Sequence, residues 1–130
     1  MGTPIEIGPF LIEYDDKPGA NEEMTAAQFR EIALSFPEAV EAAHMGHPDF
    51  RVGGKIFATL GYPNKERGVL VLSPEEQQEL ISQHPEMFEP VPGGWGLRGS
   101  TQVLLKQITR PILEAAMKKA WQRLRFASRR

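Results

Sequence analysis

The chain has 130 residues, of which 41% are hydrophobic and 25% charged, and it carries a formal net charge of -2 at pH 7. This length suits one domain able to hide roughly two-thirds of its unfolded surface in a single core, and the composition is ordinary for a soluble globular protein rather than a disordered or membrane one. With no cysteine, no apolar run near the ~20 residues of a membrane helix and no basic-then-apolar leader, the sequence reads as a cytoplasmic protein without disulfides, thiolate chemistry or a membrane partner.

Glycines, prolines and scattered acids over residues 1–23 predict an extended tail, in which Phe10, Ile12 and Tyr14 alternate as an edge strand would. Residues 24–130 predict a single domain. Thr25 and Gln28 form a capping-box pattern ahead of Phe29, Ile32, Ala33 and Phe36 at helical spacing, and Pro37 stops that helix. Residues 38–47 fit either a further helical turn or the approach to a strand.

Residues 46–60, GHPDFRVGGKIFATL, carry the firmest local pattern. Alternating residues meet at Gly53-Gly54, the two-residue loop of a tight hairpin in which both positions need φ > 0. Regular pairing sets Val52 opposite Lys55, Arg51 opposite Ile56 and Phe50 opposite Phe57. It puts Phe50, Val52, Phe57 and Thr59 on one face and Arg51, Ile56, Ala58 and Leu60 on the other.

Beyond a turn-rich connector at 62–67, GVLVL at 68–72 predicts a strand inside the sheet. Ser73, Pro74 and Glu76 then supply an N-cap, a first-turn proline and a capping-box acid for a helix running to about His84. Residues 85–88 suit one more turn, 89–92 are extended, 93–96 form a second glycine-rich bend, and TQVLL at 101–105 predicts a strand. Thr109 and Pro111 open the last helix. There Leu113, Ala116, Met117, Ala120, Trp121 and Leu124 share one arc, and Lys118, Lys119, Arg123 and Arg125 lie outside it. This order of elements defines the α+β class, an antiparallel sheet with helices packed on one face.

Charge is polarised along the chain: residues 1–50 sum to -8, 51–100 to -1 and 101–130 to +7. A localised basic end points to an anionic partner. Pairing of those cations with acids of the first helix and the tail accounts for the pattern equally well.

Three segments, FREIALSFPEAVEAAHMGHPDFRVGGKIFATL, VLVLSPEEQQELISQHPEMFEPVPGGWG and ILEAAMKKAWQRL, together resemble the MmcQ/YjbR family over residues 24–124. The resemblance implies a small α+β domain similar to the CyaY (frataxin-like) fold, a proposed double-wing DNA-binding motif and no established enzyme activity. At residues 96–100 the chain departs from the continuous hydrophobic strand that the resemblance implies, and the glycines there suggest a looser or shifted strand.

The residues meet that implication at the two glycine-rich bends, where exposed N–H groups and nearby cations suit phosphate contacts. The expected nucleic-acid contacts are Arg51, Gly53, Gly54 and Lys55 at the first bend, Gly93, Gly94, Trp95 and Arg98 at the second, and Lys118 and Arg125 on the last helix. Trp95 suits either a core position or a stacking platform. Double-stranded DNA is the expected partner, and a homodimer is compatible with the sequence.

No catalytic residue, metal or cofactor is expected. His44 and His47 lack a third ligand, and Glu75, Glu76 and Glu79 are accounted for by capping and the helix dipole. An iron-handling reading would rest on fold analogy, and Lys106 and Arg110 near the start of the last helix suit either an anionic ligand or ordinary solvent exposure. No serine has a nucleophile-elbow context, and no phosphate-loop or dinucleotide fingerprint occurs. The rival function is a non-catalytic protein-interaction or small-ligand module that uses Ile56, Ala58 and Leu60 on the uncovered sheet face.

Overall fold

Both expected capping boxes form. The Thr25 hydroxyl accepts from the Gln28 amide while the Gln28 side chain accepts from the Thr25 amide, each at 3.0 Å, and α1 (Ala26–Ser35) follows. Ser73 and Glu76 make the same reciprocal pair ahead of α2 (Pro74–Gln83), whose first residue is the expected proline. Two orphan amides at each helix start are thereby satisfied by side chains alone. The computed structural model of the protein describes residues 24–127, so the tail predicted over 1–23, with its alternation at Phe10, Ile12 and Tyr14, lies outside the described residues.

Six strands form one antiparallel sheet: β1 (Val40–His44), β2 (His47–Val52), β3 (Lys55–Leu60), β4 (Arg67–Val71), β5 (Phe88–Pro90) and β6 (Ser100–Leu104), in the order β1-β2-β3-β4-β6-β5. The ambiguous segment before His47 is therefore strand. Met45 and Gly46, with φ of 51° and 81°, make a tight turn that folds it back on β2. The glycine bend at 93–96 contains a single helical turn, α3 (Gly94–Leu97), between β5 and β6. The segment that departs from a continuous hydrophobic strand is thus partly helical, and pairing resumes at Ser100.

The central hairpin closes through Gly53 and Gly54, at φ of 61° and 80°, and Val52 faces Lys55 and Arg51 faces Ile56 as expected. Phe50, however, faces Ala58 and not Phe57. Phe57 is the extra residue of a β-bulge, which interrupts the two-residue alternation. As a result Phe57, Ala58 and Leu60 are all buried in the core, and the expected placement of Ala58 and Leu60 on the open face is corrected. Two successive large or small apolar groups can face inward here because the bulge resets the phase.

One continuous core joins these strand residues to three helices: Phe29 and Ile32 of α1, Leu80 of α2, and Leu113, Met117 and Leu124 of α4 (Arg110–Ala127). Each fully buried side chain of this size contributes about 1.5–3 kcal/mol. Phe36, just past α1, packs edge-on against Phe57 and stacks on Trp121 of α4. Among the described residues no helix is long and apolar enough to cross a membrane.

Candidate nucleic-acid interface

Because every neighbour in the sheet is antiparallel, β2, β4 and β5 run one way and β1, β3 and β6 the other. The Gly53-Gly54 turn that follows β2 and the α3 segment that follows β5 therefore leave the same end of the sheet. Three strand spacings separate the two connections, or ~14 Å at the usual interstrand distance. The C-terminal end of α4 reaches this end as well. Trp121 Nε1 donates to the Pro37 carbonyl at 3.0 Å and Arg125 meets Glu38 at 3.7 Å, and both partners lead into the start of β1.

At the first tip Gly53, Gly54 and Lys55 are exposed, and Lys55 forms no ion pair among the described residues. Arg51 is differently placed. Its Nε donates to Asp49 Oδ1 at 2.7 Å and its Nη2 to Oδ2 at 3.1 Å, so one edge of the guanidinium is already engaged. At the second tip Gly93, at φ 78°, leads into α3, Gly94 is exposed, and Trp95 is 67% exposed. Of its two open readings, the core one is excluded. The Arg98 guanidinium lies 5.3 Å from the Trp95 ring centroid.

The two α4 candidates differ. Lys118 is exposed and, among the described residues, makes no ion pair. Arg125 lies 5.2 Å from the Trp121 ring centroid and pairs with Glu38. With Arg110 bonded to Glu31 and Glu114, the pairing of basic last-helix residues with acids of the first helix region is in part realised. Lys118, Lys119 and Arg123 remain without an ion pair among the described residues.

Two structural residues at this surface carried no sequence signal. Gln77, almost fully buried on α2, donates from Nε2 to the carbonyls of Gly96 and Ser100 at 3.1 and 3.0 Å, tying α2 to the second tip. Asp49 is 0% exposed, although it points to the face away from the helices. It is clasped by Arg51 and, at 2.8 Å from Oδ2, by His44 Nδ1. The Arg51 hydrogen bond holds the Asp49 carboxyl below its ordinary 3.8, against the opposing effect of burial and with help from His44. An aspartate–histidine pair of this kind serves nucleophilic chemistry when a hydroxyl bonds the far ring nitrogen, and no such hydroxyl contact exists among the described residues. Nor does any cluster of three His, Cys, Asp or Glu able to hold a metal occur there.

Asp49 predicts a pH dependence. The unfolded carboxyl, at about 3.8, takes up its proton before the folded one does, so its contribution is complete above that value and lost as pH falls through the lower folded value. Asp49→Asn is expected to cost about 1–3 kcal/mol at neutral pH and to flatten the acid limb of the stability profile. Urea midpoints measured from pH ~6 down to ~2 check this.

The arrangement defines a small α+β domain that presents two glycine-cornered tips at one end of a sheet layered with helices on one face. A model of the YjbR family matches residues 34–123, most of the described body, and the chain belongs to that family. The crystal structure of Deinococcus radiodurans protein DR2400, with a domain described as DUF419, has the same fold, with a TM-score of 0.65 at 18% identity over 78% of this chain and 79% of that one. No curated protein matches the chain.

Proposed function

We propose that the protein is a non-catalytic nucleic-acid-binding domain that grips double-stranded DNA at the end of the sheet where both tips emerge. The observation that carries this reading is their common direction: two tips ~14 Å apart are spaced to touch phosphates on either side of a major groove about 12 Å wide. Lys55 and Arg98 are the cations best placed for those contacts, backbone amides of Gly53, Gly54, Gly93 and Gly94 add neutral donors, and Lys118 belongs to the wider basic surface of α4. Arg51 acts from behind, bracing the first tip through Asp49. The rival interaction module loses support, since Ala58 and Leu60 turn into the core and leave Ile56, half-buried, on the open face.

Neutralising three to four phosphates releases their counterions, so affinity is expected to fall roughly 40- to 150-fold between ~50 and ~200 mM salt. The combined variant Lys55→Ala and Arg98→Ala is expected to shallow the slope of log affinity against log salt by roughly 2. Fluorescence anisotropy of a labelled duplex measures both. Absence of binding at low salt, or a slope unchanged in the double variant, overturns the reading.

A further inference from the structure

The second tip is built to hold an aromatic ring outside. Gly96 is buried against the body, where a Cβ would overlap the Val91 carbonyl, so its neighbours Trp95 and Leu97 are turned outward and are 67% and 82% exposed. The segment is held at several points. Leu97 and Arg98 amides bond back to Gly93 and Gly94 at 3.2 and 3.1 Å, the Gly99 amide to Gly96 at 3.0 Å, and the Leu72 amide to Gly99 at 3.3 Å. Gln77 fastens the carbonyls of Gly96 and Ser100 from beneath. Trp95 is thus displayed on a fixed mount, where the ordering of the loop is settled before a ligand arrives.

One side of the ring is taken by the Arg98 guanidinium, which leaves the opposite side as a flat apolar surface backed by a cation. On the same segment Leu97 lines an open groove of about 390 Å³ between α2 and α3, walled also by Pro74, Gln78, Pro90 and Val91. A ring backed by a cation, with phosphate-binding groups at the same end of the sheet, supplies the components with which proteins hold unstacked bases. Bases inside an intact duplex present edges, not faces, and offer such a ring nothing to stack on.

Resting on the nucleic-acid reading above, we infer that Trp95 is a stacking platform for an unpaired base, and that the preferred substrate is DNA with a locally unstacked nucleotide, such as a bulge, frayed end or single-stranded stretch. Lys55 and the α4 cations hold the backbone, and Trp95 selects the site. The test compares three labelled oligonucleotides of equal length: an intact duplex, the same duplex with one bulged nucleotide, and a single strand. The bulged and single-stranded forms are expected to bind more tightly than the intact duplex and to quench tryptophan emission, with no quenching in Trp95→Phe beyond that of Trp121. Trp95→Ala is expected to weaken binding of those two forms roughly 5- to 150-fold and that of the intact duplex less than about twofold. Equal affinity for all three with unchanged emission overturns this inference and leaves the proposed function standing. Loss of self-association in Trp95→Ala by sedimentation, with DNA affinity unchanged, also overturns it by assigning the patch to a protein interface. No binding of any of the three overturns both.

Discussion

Gly99→Ala is expected to destabilise the protein by about 3–5 kcal/mol, a large part of the 5–15 kcal/mol typical of a domain. Two independent penalties meet at this position. Its φ of 114° lies where side chains are strongly disfavoured, costing about 1–3 kcal/mol. A Cβ there would also overlap the Leu72 carbonyl oxygen, and forcing atoms into packed structure costs typically 1–3 kcal/mol. Backbone lies on both sides of that overlap, because the Leu72 amide donates to the Gly99 carbonyl, so no flexible side chain can yield. Urea unfolding gives the magnitude. The same variant is expected to loosen the Trp95 mount, read as a shift in tryptophan emission in the native baseline. A loss below about 1 kcal/mol would show that the strand start can move away from β4 and that the tip is not rigidly held.

The contrast between Gly53-Gly54 and Gly99 explains how far the sequence could be read. The first pair is a local device: two adjacent glycines between alternating residues demand a tight hairpin wherever they occur, and Thr25-Gln28 and Ser73-Glu76 are local in the same way. Those elements were legible because a few neighbouring residues satisfy one another. The turn at Met45-Gly46 escaped because methionine gives no sign of accepting a φ of 51°. Gly99 escaped because its need for glycine comes from Leu72, just past the end of β4. Likewise Asp49 looks like an ordinary strand acid until the pairing of β1 with β2 brings His44 beside it, and Gln77 looks like a surface residue until the second tip folds over it.

The candidate site divides along the same line. That glycines and cations cluster near residues 53 and 93 is written in the sequence, but their common end of the sheet follows from the strand order. Which cations are available is decided by ion pairing, local along β2 for Arg51 and tertiary for Arg125. Arg51 and Arg125 stood level with Lys55 and Lys118 as sequence candidates; Asp49 and Glu38 separate them. The exposure of Trp95 arises from the burial of its neighbour Gly96, which fixes the direction of both adjoining side chains.

The bulge supplies the second large expected effect. Phe57→Ala is expected to cost about 3–5 kcal/mol, the usual loss for truncating a fully buried phenylalanine when its surroundings cannot collapse. Collapse is blocked here because the ring is 0% exposed and meets the edge of Phe36 at 6.3 Å, while Phe36 is itself stacked on Trp121 at 5.5 Å. Truncation therefore removes the contact on which this aromatic column, linking the hairpin to α4, is seated. Ile56→Ala, one residue earlier but on the open face, is expected to cost under about 1.5 kcal/mol. The two losses, measured by urea unfolding, locate the phase change in the strand. Near-equal losses would place the bulge elsewhere. A small loss at Phe57 with a large one at Ile56 would invert the facing of β3.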